Sequence, residues 1–179
     1  MKFEILKRET VYKGRAFEVQ NLEVRMPNDR LTHFDLVKHT GAVTLIPLDK
    51  EGNILFVRQF RIAVNSEMLE LPAGTLEPGE EPDLCAAREI REETGMAARG
   101  LRKLGDYFLA PGYSSEHMHV YLATDLYEAP LKADDDEFLQ VQKIQISKVF
   151  EMVGAGEIKD AKTLACLLMA QPYLLGKLL

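Results

Sequence analysis

Apolar and polar residues alternate through Phe17–Gln20 and Leu22–Arg25, the two-residue period of a half-buried strand. Pro27-Asn28-Asp29 is turn chemistry, and a further strand is expected through Phe34-Asp35-Leu36-Val37. Two apolar runs follow, Ala42–Leu48 and Ile54–Phe60, joined by Asp49-Lys50-Glu51-Gly52-Asn53, a good hairpin connection. Pro72, Gly74, Pro78, Gly79 and Pro82 then make residues 71–82 a loop. A helix is predicted over residues 83–94, with Pro82 in its first turn and Gly95 as a left-handed stop. Strand-like stretches at 101–108 and 118–126 flank a loop containing Pro111-Gly112. A strand at 141–146 and helices at 147–154 and 159–175 complete the chain. The order lacks the regular βαβα rhythm of a doubly wound sheet. It predicts an α/β (α+β) fold, a mixed β-sheet sandwiched between α-helices, with an antiparallel strand region at the N-terminus.

Composition narrows the function. The 179 residues are 46% hydrophobic and 28% charged, an ordinary globular balance, and we read 1–179 as one domain with strands in 1–40 and a core in 41–179. Lys and Arg total 22 against 28 Asp and Glu, a formal charge of −6, so no basic stripe is available for nucleic acid. No apolar run approaches the ~20 residues that cross a bilayer, so no membrane partner is expected. The first residues, Met1-Lys2-Phe3-Glu4, do not open a signal-type apolar stretch, and a cytoplasmic location is expected. Cys85 and Cys166 form no metal-type cluster and read as small buried residues. His117 and His119 share one face of a strand and read as structural.

The chemistry lies on the helix at 83–94. At 3.6 residues per turn Glu89, Glu92 and Glu93 fall on one side, and Ala86, Ala87 and Ile90 on the adjacent side. On an exposed face such acids are merely solvated. In a cleft, two carboxylates about 6 Å apart repel by roughly 3 kcal/mol at an effective dielectric near 20. Such a cluster wants cations, and an all-oxygen donor set suits Mg²⁺, with Mn²⁺ as a substitute, rather than zinc.

The surroundings favour the cleft. Gly74-Thr75-Leu76-Glu77-Pro78-Gly79-Glu80 is followed, after seven residues, by Arg88-Glu89-Ile90-Arg91-Glu92-Glu93-Thr94-Gly95-Met96. Every fixed position of this pattern resembles the box of the Nudix hydrolases. The resemblance implies the Nudix fold and Mg²⁺-dependent hydrolysis of a nucleoside diphosphate linked to a further group. It implies that Glu89, Glu92 and Glu93 bind the metal, with the carbonyl of Ala73 completing the site. Glu80 would support the cluster and Arg88 would pair with the acids. Gly74 would permit the tight loop, and Gly95 closes the box.

Residues outside the box resemble the ADP-ribose pyrophosphatase subfamily. Pro111 lies sixteen positions after Gly95, and Arg58-Gln59-Phe60-Arg61, Glu70-Leu71-Pro72-Ala73-Gly74, Pro111-Gly112-Tyr113-Ser114-Ser115-Glu116 and Asp160-Ala161-Lys162-Thr163 all have counterparts there. The resemblance implies hydrolysis of ADP-ribose to AMP and ribose 5-phosphate. The alternatives are another nucleoside diphosphate sugar, such as an ADP- or GDP-hexose, and a regulator that binds ADP-ribose without cleaving it. Arg58 and Arg61 are three apart on a strand and face opposite sides, so at most one reaches a ligand, Arg61 being favoured. Glu70 either accepts from the base or ribose or pairs with an arginine. Gly112 belongs to a turn or to the substrate site, and Glu116 either approaches the substrate or is a surface acid. In this subfamily a glutamate on a loop after the box acts as general base. Glu137 is the positional match, with Asp136 as competitor. A homodimer with exchanged N-terminal strands is also implied.

Overall fold

The computed structural model describes residues 2–132 and 138–176. The chain forms two compact units, Met1–Gly41 with Tyr107–Met118, and Ala42–Asp106 with His119–Leu179.

In the first unit β1 (Glu4–Lys13), β2 (Glu18–Arg25) and β3 (Leu31–Lys38) form an antiparallel sheet in that order. The alternation at Leu22 and Val24 has its expected consequence, whereas Phe17 is exposed and Val19 only half-buried. Gln20, Leu22 and Val24 are buried, whereas every residue of β1 is exposed. A turn joins β2 to β3, with the Met26 amide donating to the Arg30 carbonyl at 2.8 Å. Residues 107–118 group with these strands rather than with the rest of 41–179. The Val37 amide donates to Tyr113 O at 2.8 Å, and the His39 amide donates to Ser115 Oγ at 2.9 Å.

The second unit holds the remaining strands, β4 (Ala42–Pro47), β5 (Asn53–Arg61), β6 (Ser66–Glu70), β7 (Ala73–Thr75), β8 (Met96–Phe108), β9 (His117–Glu128) and β10 (Gln140–Gln145), apart from the ends of β8 and β9. One sheet runs β7-β4-β9-β8 and another β10-β5-β6. All of β4 is buried, as are Ile54–Val57 of β5, which explains why these runs read as continuously apolar rather than alternating.

Among the described residues three α-helices complete the unit, α1 (Pro82–Thr94), α2 (Ile146–Gly154) and α3 (Ala161–Leu174), with a short 3-10 turn at Ile62–Val64. Helices α1 and α3 both pack on β4. Cys85, Ala86 and Ile90 of α1 join Val43, Leu45, Leu76, Tyr121 and Ala123 in the core. The Tyr121 hydroxyl donates to Asp83 at 2.6 Å, tying the first turn of α1 to β9. Asp160 caps α3, its carboxylate accepting from the Thr163 amide at 3.0 Å.

Three features depart from the sequence reading. Strands β4 and β5, expected as a hairpin, lie in separate sheets and meet at a Leu48–Ile54 bridge. The stretch 71–82 contains a short strand, β7, because Ala73–Thr75 finds the edge of β4. Strand β6 has no clean alternation of its own and is organised by pairing with β5, Val57 opposite Glu70.

Gly95 ends α1 at φ 71°, its amide donating to Arg91 O at 3.1 Å. Only glycine holds that conformation without a steric cost. Gly95→Ala should lower unfolding free energy by about 1 kcal/mol, read from urea denaturation.

Candidate active site

The acidic residues of α1 do not sit on a separate face. Glu89 and Glu93 continue the buried stripe begun by Cys85, and are 7% and 5% exposed, while Glu92 is half-buried. A helical repeat of four places 85, 89 and 93 in line, so the stripe that packs on the sheet turns acidic as it reaches β7.

The β7 segment is shaped to receive those acids. The Ala73 amide donates to Glu93 Oε2 at 2.9 Å. The Glu89 carboxylate lies where a side chain at position 74 would begin, so any Cβ there would overlap it. Gly74 is therefore required by the approach of Glu89, not by its own backbone angles.

Arg88 joins the loop before α1 to the acids on it. Its Nε and Nη2 donate to Glu80 Oε1 and Oε2 at 2.9 and 2.8 Å, a two-point grip. Its Nη1 donates to Glu89 Oε1 at 2.6 Å and to Glu92 Oε2 at 2.8 Å. Nη2 also reaches Thr75 O at 3.4 Å. The Arg88 hydrogen bond holds the Glu80 carboxyl down at about 2. The Glu77 amide adds a bond to Glu80 Oε2 at 3.0 Å. Burial pushes the Cys85 thiol far above its ordinary value, reinforced by Glu89, and leaves it an inert packing group.

A second charged group lies at the other end of β7. Glu70 is 2% exposed and accepts from Arg61 Nε at 2.8 Å and from Arg61 Nη2 at 2.6 Å. Lys162 of α3 also donates to Glu70, and to Asp160 Oδ2 at 2.8 Å. Burial alone would raise the Glu70 carboxyl; hydrogen bonds from Arg61 and the charge of Lys162 outweigh it and hold the group below the usual range. The bond to Glu70 raises Arg61, and Glu93 contributes at longer range.

The structure thus brings together Ala73, Gly74, Glu80, Arg88, Glu89, Glu92 and Glu93, and places Arg61 and Glu70 within electrostatic range. Glu70 is found in an ion pair with Arg61, both of its oxygens accepting and the residue 2% exposed. Arg58 is half-buried on the opposite face of β5 from Arg61. Gly112 and Glu116 lie in the first unit. Gly112 is exposed in the turn where the Tyr113 amide donates to Ala110 O at 3.1 Å, and the Glu116 amide donates to Ser114 Oγ at 3.2 Å. Asp136 and Glu137 lie outside the described residues. Lys162 and Asp160 were not singled out as site residues in the sequence reading. The helix-capping spacing of Asp160 and Thr163 is a local signal for the start of α3, but not for its arrival at Glu70.

Comparison with known proteins agrees with this geometry. The NUDIX domain model matches residues 38–165. The chain belongs to the Nudix family. It is 37% identical to an ADP-ribose pyrophosphatase of Bacillus subtilis strain 168 over 87% of this chain and 85% of that protein. It is 36% identical to an ADP-ribose pyrophosphatase of Mycobacterium tuberculosis strain H37Rv over 97% of this chain and 86% of that one. A crystal structure of an ADP compounds hydrolase superposes with a TM-score of 0.86 at 25% identity, covering 99% and 96% of the two chains. The protein is accordingly a Nudix hydrolase with an α+β fold.

The Arg88–Glu80 pair gives a pH signature. Its folded-state value lies near 2, below the ordinary 4.5, so its stabilisation is complete above about 4.5 and disappears as the pH falls through 2. Glu80→Gln should cost about 2 kcal/mol at pH 7. Thermal denaturation at stepped pH should show the gap from wild type closing between 4.5 and 2.

Proposed function

We propose that this Nudix hydrolase cleaves the diphosphate bond of ADP-ribose, giving AMP and ribose 5-phosphate, with Mg²⁺ as its metal and Mn²⁺ as a substitute. The observation that carries the reading is the burial of Glu89 and Glu93 against the Ala73–Gly74 backbone. Buried carboxylates drawn together are costly without cations, and Arg88 offsets only part of that charge. Glu89, Glu92, Glu93 and the Ala73 carbonyl are the hard oxygen donors that fit a divalent ion. When bound, such an ion neutralises diphosphate charge and acidifies a water. Arg88 keeps Glu89 and Glu92 oriented, the Ala73 amide keeps Glu93 oriented, and Arg61 offers a guanidinium edge to a phosphate oxygen. Glu137 is assigned to accept the proton of the attacking water, with Asp136 as the competing assignment.

The ADP-ribose pyrophosphatases among the relatives support the substrate class. The protein is further assigned to the cytoplasm as a homodimer. Support for the dimer is the N-terminal sheet, where Ile5, Val11, Tyr12, Leu31 and Phe34 are exposed on strands. No helix among the described residues is long and apolar enough to cross a membrane.

The purified protein should be incubated with Mg²⁺ and ADP-ribose, ADP-glucose, GDP-mannose, NADH or 8-oxo-dGTP, with products identified by mass. AMP arising chiefly from ADP-ribose supports the proposal; preferential cleavage of GDP-mannose moves the substrate to a GDP-hexose, and binding of ADP-ribose without products indicates a regulator. Glu93→Gln should lose roughly a hundredfold or more in kcat while the circular dichroism spectrum is retained. Glu137→Gln should slow turnover far more than Asp136→Asn, and the reverse order reassigns the base. Equilibrium sedimentation over a dilution series tests the dimer, which should dissociate as the protein is diluted.

A further inference from the structure

Lys162 stands in the first turn of α3, ninety-two positions from Glu70, and its side chain is 12% exposed. It closes a circuit of bonds around the end of β6. Its ammonium donates to Glu70 Oε2 and to Asp160 Oδ2. The same Asp160 oxygen accepts from the Thr163 hydroxyl at 2.6 Å, and Thr163 Oγ1 accepts from the Leu71 amide at 2.9 Å. The circuit therefore leaves position 70 by its side chain and returns at position 71 by its backbone. Two residues further on, Ala73 binds Glu93.

The charges explain what this circuit can do. Glu70 and Asp160 are matched by Arg61 and Lys162. Arg61 grips Glu70 with Nε and Nη2, its side chain is 44% exposed, and its Nη1 has no hydrogen-bond partner among the described residues. With Lys162 present, Glu70 does not need that third nitrogen. Without it, the group carries a net negative charge beside an anionic ligand, and Glu70, left to Arg61 alone, draws the guanidinium inward.

We infer that Lys162 is a positioning residue for the hydrolysis: by satisfying Glu70 from the α3 side, it keeps the outer edge of Arg61 free for a diphosphate oxygen of the substrate. The inference rests on the ADP-ribose reading for its substrate. It makes the start of the C-terminal helix part of the electrostatics of substrate binding, although Lys162 itself touches no substrate.

The experiment compares wild type, Lys162→Met, Lys162→Arg, Arg61→Met and the double variant Lys162→Met/Arg61→Met on ADP-ribose with Mg²⁺. Lys162→Met should raise KM about tenfold, with kcat within about threefold of wild type. Lys162→Arg should return KM to within about twofold. In the Arg61→Met background, Lys162→Met should add less than about twofold, because its effect passes through Arg61. An unchanged KM in Lys162→Met, a loss confined to kcat, no rescue by arginine, or full additivity in the double variant would each overturn the inference. Lys162→Leu replaces Lys162→Met should the latter fail to fold, since it too removes both the donor and the charge. A crystal structure of the same variant separates this idea from the choice of substrate. A guanidinium displaced towards Glu70 supports the positioning role even where ADP-ribose is not cleaved, and an unmoved Arg61 overturns it even where ADP-ribose is.

Discussion

One guanidinium makes the acidic arrangement on α1 possible. Arg88 holds Glu80 on the loop and Glu89 and Glu92 on the helix. Without a cation among them these carboxylates would repel by roughly 3 kcal/mol per close pair at an effective dielectric near 20, and the loop would have no reason to close on the helix. Planarity matters as much as charge: both edges of the fork are used, one for Glu80 and the other for the two helix acids. A lysine has the charge but not that geometry.

The arginine does not balance the group. Glu80, Glu89, Glu92 and Glu93 outnumber it, and Glu93 accepts from the Ala73 amide and interacts at longer range with Arg61. A group left net negative by its own residues is the pattern expected where a site is completed by something it binds. Tight packing sharpens the arrangement. The Glu89 carboxylate occupies the space beside Gly74, so a side chain at position 74 would displace that carboxylate.

Around β6 and β7 the two charged clusters are linked by a short length of backbone. Glu70 and Leu71 are held from α3 and β5, and Ala73 is held by Glu93 of α1. The segment carrying the proposed metal-binding carbonyl is thus fixed from both ends. A rigid support of this kind is what lets a few side chains act on a substrate with sub-ångström accuracy.

Local chemistry made α1 legible from the sequence. Proline is tolerated in the first turn, glycine fits the left-handed cap, and the spacing of the glutamates places them on one turn after another, so the helix was expected over residues 83–94 and is found from Pro82 to Thr94. The box was legible through its resemblance to the Nudix pattern, whose residues lie close together along the chain. The apolar run of β4 was legible in the same local way. What the tertiary structure alone decided are the pairings between distant positions. Strand β7 exists because β4 offers it an edge, and β6 because β5 does. Glu89 and Glu93 are interior rather than lateral because the sheet lies on that side of the helix. Glu70 meets Lys162 as well as Arg61 because α3 returns to that point. Periodicity and capping record forces that act over a few residues, whereas desolvation and ion pairing depend on what the rest of the chain brings to the same place.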